Sequence, residues 1–372
     1  MLPSKSIVIK NLFFIYFLFF ISSSLQAQHV YFGERNLEQH PFSLCFDQEG
    51  NIYPDYYIAD SALQNCNHNL NNWYQTHPIQ LTEICKFYGI NLPINEFNIN
   101  QLNDSISSRI AGKIKQINSH SVTFLVHGYR KSFEAPEGTV TSVIEFDLLK
   151  KTTDSLGLKS HFVEVYWDGT YDCCFSVFDK KRNAYLFSQF ENAQIHAPNV
   201  GIALRKIVNQ VKNEHINFIG HSLGSKVVAS TLFNLKQNDF QTPHQKDIRV
   251  CLIAPAIGGI ESFENYWNRN TTLNFKEKDN YSWYILYNEK DFALRKKDSK
   301  MGLFGPGCVN YGNTTLGCNH QNEIEKLQQL FNKKYPKSTL KFENMTWMGK
   351  KHSLKYYAEG NILQSAVQFL ND

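Results

Sequence analysis

Apolar residues fall along this chain in two alternating patterns. Short, mostly apolar runs occupy residues 122–126, 161–167, 215–219, 248–254 and 282–287, the length and two-sided apolarity of strands buried on both faces, and residues 339–345, of mixed polarity, supply a sixth short strand. Between them apolar positions recur at steps of three and four: Val140, Ile144 and Leu148; Leu204, Ile207, Val208 and Val211; Val227, Val228, Leu232 and Leu235. That spacing draws one face of a helix. A last helical segment, with Ile362 and Val367, closes the chain. Strands alternating with segments long enough for crossovers predict an α/β domain at 119–372, a mostly parallel sheet with helices on both faces. Upstream, residues 28–118 are rich in Asn, Gln, Tyr and Phe and show no clean period until Leu102, Ile106, Ile110, Ile114 and Ile117. This region predicts an N-terminal extension packed on the core. No internal repeat is evident.

The first 27 residues change the picture of where the protein works. Lys5 and Lys10 precede an apolar run from Leu12 to Ile21, and small and polar residues follow, ending Leu25-Gln26-Ala27. Basic, apolar and cleavage regions in that order predict a signal peptide over 1–27 and export to the periplasm or beyond. The run is about ten residues where a spanning helix needs about 20, so no stable membrane span is expected.

The formal net charge of +4 falls to +2 once the two leader lysines are gone, which points to neither nucleic acid nor an anionic membrane as a partner. All eight cysteines lie beyond the leader, so an oxidising compartment predicts disulfides. Cys308 and Cys318 flank a glycine-rich loop they could close, and a pair is expected among Cys45, Cys66 and Cys85. Cys251, within an apolar run, reads as a buried free thiol. No zinc-type spacing and no His-Glu-x-x-His occurs, so neither metal nor cofactor is expected.

The candidate chemistry lies in Gly220-His221-Ser222-Leu223-Gly224, between the run at 215–219 and a helical stripe. Five letters of this kind arise by chance in about one protein in ten of this length, so the flanks carry the inference. A serine at a strand-to-helix corner is lifted clear of the sheet and faces the free N–H groups of a helix start, which suit an oxyanion. A serine hydroxyl needs a base to take its proton, and an imidazole base needs a carboxylate to hold its tautomer. His320 and His352 both follow Ser222 beyond a candidate acid. His352, between the last strand run and the closing helix, is favoured, and His320 reads as a surface residue. For the acid, Asp291 stands just past the run 282–287, with Glu289 as its rival.

Two backbone donors are nominated for an oxyanion: Leu223, after the serine, and Tyr129, in the His127-Gly128-Tyr129 loop after the run 122–126. His127 and His221 read as structural rings. Trp167, Tyr171, Phe175 and Trp267 are candidates for an apolar acyl pocket, or else core.

The stretches Phe124-Leu125-Val126-His127-Gly128-Tyr129-Arg130-Lys131-Ser132-Phe133-Glu134, Phe218-Ile219-Gly220-His221-Ser222-Leu223-Gly224-Ser225-Lys226-Val227-Val228 and Asn288-Glu289-Lys290-Asp291-Phe292-Ala293-Leu294 resemble an uncharacterised bacterial branch of the α/β-hydrolase superfamily, over roughly 119–372. The resemblance implies a Ser-Asp-His triad at Ser222, Asp291 and His352, an esterase-like or lipase-like activity, and a small-molecule or lipid-like acyl substrate. An acyltransferase using the same residues, and a non-enzymatic binding protein on the same scaffold, are the alternatives.

Overall fold

The six strand segments expected from the sequence form adjacent strands, and a seventh strand joins them from a place where no period shows. The computed structural model describes residues 42–54, 69–91, 97–117, 119–129, 142–167, 180–211, 213, 215–233, 247–259, 262, 281–294, 316–334 and 339–372. The strands are β1 (Ser43–Phe46), β2 (Ser121–Val126), β3 (His161–Trp167), β4 (His215–His221), β5 (Asp247–Ile253), β6 (Tyr281–Tyr287) and β7 (Leu340–Asn344). They lie in the order β1-β3-β2-β4-β5-β6-β7, and every neighbouring pair is parallel. Phe124 of β2 sits opposite Phe218 of β4, and their rings stack with centroids 5.2 Å apart. The central strands are apolar on both sides because both faces are covered, which is why no alternation appears in them.

The principal described helices are α1 (Leu70–Thr76), α2 (Pro78–Phe87), α3 (Ile99–Gln116), α4 (Ser142–Ser155), α5 (Lys180–Gln210), α6 (Gly224–Phe233), α7 (Glu323–Lys334), α8 (Leu354–Tyr357) and α9 (Gln364–Asn371). The crossover through α4 steps from β2 outward to β3, whereas those through α5 and α6 run the other way, to β4 and then β5. Right-handed crossovers put α4 on one face and α5 with α6 on the other. The direction reverses between β2 and β4, so the carboxyl ends of these two strands flank a crevice.

Helix α5 buries Leu204, Ile207 and Val208 completely, about 1.5–3 kcal/mol for each side chain removed from water. Its buried Arg205 donates to the carbonyls of Thr231 (3.2 Å) and Leu232 (2.8 Å). A guanidinium there satisfies carbonyls at the end of α6 and opposes the negative end of its dipole.

The N-terminal extension contributes β1, an edge strand parallel to β3. Just past it, the buried carboxylate of Asp47 accepts from the backbone N–H groups of Glu49 (2.9 Å), Asn51 (2.8 Å) and Leu70 (2.7 Å) and from the Asn51 amide (2.9 Å). Asn103 of α3 extends the network, accepting from Ile52 N–H and donating to Asn51 Oδ1, each at 3.0 Å. Burial, opposed by these hydrogen bonds, pushes the Asp47 carboxyl up to about 6. The expected helical face from Leu102 onward is present as α3, whose Leu102, Ile106, Ile110 and Ile114 are buried.

The cysteines correct one expectation. Cys45, Cys85, Cys251 and Cys318 are buried thiols, so no cystine closes a loop at Cys318 and none joins Cys45 to Cys85. The Cys318 sulfur instead donates to the Leu294 carbonyl at 3.4 Å, a buried packing position. Cys251 is a free thiol in β5, as read from its apolar run. Cys66, Cys173, Cys174 and Cys308, and the leader at 1–27, lie outside the described residues.

Candidate active site

Strand β4 runs straight into helix α6, and Ser222 occupies the corner. Its φ of +50° is a left-handed conformation that strains a residue with a Cβ by about 1–3 kcal/mol. Three backbone bonds hold it there: Ser222 N–H to Ile253 carbonyl (3.0 Å), and Ser225 and Ala256 N–H to the Ser222 carbonyl (3.1 and 3.0 Å). Glycine is required on both sides of the crevice. A Cβ on Gly224 would sit 2.4 Å from the His127 carbonyl oxygen, and one on Gly128 would sit 2.9 Å from Ser222 Cβ. The loop after β2 therefore passes directly against the serine.

Ser222, Asp291 and His352 converge. His352 Nε2 lies 3.0 Å from Ser222 Oγ, and His352 Nδ1 lies 2.7 Å from Asp291 Oδ2. An ionised carboxylate accepts only, so Nδ1 carries the proton and the Nε2 lone pair faces the serine hydroxyl. Asp291 is fully buried. Its other oxygen accepts from Ala293 N–H (2.9 Å) and Leu294 N–H (3.2 Å). Tyr357 of α8 is buried near this carboxylate, and burial first, then the charge of Asp291, pushes its phenol well above the usual range. A neutral hydroxyl thus borders the acid.

The rival residues are elsewhere. Glu289 is exposed, its carboxylate accepting from the Asn319 amide at 3.1 Å. His320 lies in the turn His320–Asn322, and the ring that faces Ser222 is that of His352. Of the nominated oxyanion donors, Leu223 stands at the start of α6 and Tyr129 just beyond Gly128, on the two backbones that meet at Ser222.

His127 is structural. Trp167 N–H donates to its Nε2 (3.1 Å), so the proton sits on Nδ1, which donates to the Gly128 carbonyl (2.8 Å). Trp167 is fully buried, donates through Nε1 to the His127 carbonyl and stacks on its ring, so it belongs to the core beneath the loop. Tyr171, Phe175 and Trp267 lie outside the described residues.

Two further side chains hold the loop that carries His352. His221, read only as a structural ring, donates from Nε2 to the His352 carbonyl at 2.9 Å. Asn288 donates to the carbonyls of Gly349 and Lys351, both just before His352, and only its position three residues before Asp291 hinted at it. Among the described residues no group of three or more His, Cys, Asp or Glu is placed to hold a metal ion.

The model of a protein family described as "Alpha/beta hydrolase of unknown function (DUF900)" matches residues 102–299. No curated protein matches the chain. Among solved structures it is similar to a lipase-esterase related protein from Clostridium acetobutylicum, with 12% identity, 68% of this chain and 95% of that one covered, and a TM-score of 0.29. It is also similar to the carboxylesterase CesB from Bacillus subtilis, with 10% identity, coverage of 72% and 97%, and a TM-score of 0.31. Likenesses this loose carry no argument about activity.

Proposed function

Because the chain belongs to the alpha/beta-hydrolase family of unknown function whose model spans 102–299, we propose that it is an exported serine hydrolase cleaving an ester or related acyl bond. The observation that carries this reading is the unbroken relay from Asp291 through His352 to Ser222, at 2.7 and 3.0 Å. His352 Nε2 takes the hydroxyl proton as Ser222 Oγ attacks the acyl carbonyl carbon. Asp291 holds the imidazolium that forms, and the Leu223 and Tyr129 N–H groups receive the oxyanion. On collapse the acyl–oxygen bond breaks and the departing alcohol takes the proton from His352. Water, deprotonated by the same ring, then attacks the acyl-enzyme, and its proton returns to Ser222 Oγ.

Export is supported by the basic, apolar and small-residue order of residues 1–27. No helix among the described residues is long and apolar enough to cross a membrane. The domain division at about residues 28–118 and 119–372 remains our reading of the mature chain, with β1 of the first part completing the sheet of the second.

The test uses the mature chain with p-nitrophenyl esters of graded acyl length and a fluorophosphonate. Hydrolysis and covalent labelling at Ser222 are expected, and Ser222→Ala is expected to lower kcat by about a millionfold. Full turnover by that variant would refute the proposal.

A further inference from the structure

We infer that Asn288 is a positioning residue, a side-chain strap that joins the acid turn to the loop carrying His352 and so sets the alignment of the ring. The inference rests on the hydrolase reading for its catalytic meaning, but its geometry stands separately. Asn288 is fully buried at the end of β6. Its Nδ2 donates to the Gly349 carbonyl (2.8 Å) and the Lys351 carbonyl (3.1 Å), while its Oδ1 accepts from Lys290 N–H (3.0 Å). The amide has one orientation only, because a flip would set its oxygen against two carbonyl oxygens and its NH2 against an N–H. The backbone of Asn288 is fixed as well, its N–H donating to Gly317 (2.8 Å) and its carbonyl accepting from Asp291 N–H (3.0 Å).

The loop from Gly349 to Ser353 is held from three elements. His221, at the end of β4, takes the His352 carbonyl. Glu145, buried in α4, accepts from the Ser353 hydroxyl at 3.0 Å. Asn288 alone among these comes from the turn that also bears Asp291, so it ties acid and base to one another rather than each to the sheet. Removing its NH2 leaves two carbonyls beside His352 without that donor, and the ring is then free to drift from Asp291. A second link between the same loops, Glu289 N–H to Thr346 Oγ1 (3.1 Å), is exposed and lies farther from His352 along the chain than the Gly349 and Lys351 carbonyls, which makes it a control.

The experiment compares mature wild type, Asn288→Ala, Asn288→Ser and Thr346→Val, with His352→Gln to assign the signal. Three readouts are taken: kcat and KM on a p-nitrophenyl ester, the rate of fluorophosphonate labelling, and the downfield proton resonance of the His352 Nδ1–H. Asn288→Ala is expected to lower kcat about 10- to 100-fold with KM within about twofold, the scale of a misplaced catalytic group. It is also expected to broaden the imidazole proton signal. Asn288→Ser does the same if the alanine variant fails to fold. Thr346→Val leaves all three readouts unchanged.

The inference is overturned if a folded Asn288 variant keeps the proton signal and kcat within about twofold, or if Thr346→Val loses as much. A wild type that shows the proton signal but neither labels nor turns over sinks the hydrolase reading instead. The NMR comparison then still decides whether Asn288 holds the ring.

Discussion

Two fully buried aspartates, Asp291 and Asp47, sit in opposite halves of this chain with different partners. Asp47 receives four N–H bonds, three from backbone and one from an amide, and none of its donors titrates in the ordinary pH range. It knits β1 to the start of α1. Asp291 spends one oxygen on two backbone N–H groups and keeps the other for an imidazole whose far nitrogen meets a serine hydroxyl. Burial is common to both, so burial alone does not distinguish the two carboxylates. The difference lies in whether one of its bonds ends on a group that can pass a proton onward.

The sharpest break of that comparison is Asp291→Asn. An amide in that place lets the ring settle in the wrong tautomer, and kcat for ester hydrolysis is expected to fall about ten-thousandfold. Asp47→Asn, assayed per folded molecule, is expected to leave kcat within about twofold. Next comes Gly128→Ala, whose Cβ would lie 2.9 Å from Ser222 Cβ. The loop must back away from Ser222, and about a hundredfold loss in kcat/KM is expected, measured with KM on the same ester.

A smaller effect belongs to stability. The Asp47 carboxyl is raised from 3.8 to about 6 in the fold. The folded chain therefore holds a proton that the unfolded chain has released, and this contribution is full below about 3.8 and fades as pH rises through 6. The destabilisation by Asp47→Asn is accordingly larger at pH 4 than at pH 7, by about 2 kcal/mol in urea unfolding; a difference of opposite sign would show that the four donors outweigh burial. Smallest of all is Glu289→Gln, an exposed acid, for which kcat is expected to stay within about twofold.

Much of this architecture was legible because its signals are local. Six strands and the faces of α3, α5 and α6 announce themselves through runs and periods carried by contiguous residues. The corner at Ser222 is likewise written in a strand end, two glycines and a helical stripe. β1 was not legible, since Ser43-Leu44-Cys45-Phe46 is four residues long and buried at every position. It offers neither the length of a run nor an alternation, and its place depends on pairing with β3 far along the chain. The cystine expected at Cys318 was a compositional inference, and packing beneath Leu294 overrode it.

Sequence by itself determined the kinds of elements, their order, and the three residue types a nucleophilic relay needs, because backbone geometry and side-chain burial impose periods on neighbouring residues. It did not determine that these three side chains meet. Ser222 and His352 are 130 residues apart and Asp291 and His352 are 61 apart. Their approach follows from strand order, with β4, β5, β6 and β7 set side by side and parallel so that their carboxyl ends share one edge. The sequence already favoured His352 over His320 by its place after the last strand, but only tertiary structure brought its ring onto Ser222 and revealed Asn288 reaching from the turn of Asp291 to the loop of His352. Hydrogen bonds of about 3 Å depend on distances that the spacing of residues along a chain does not encode.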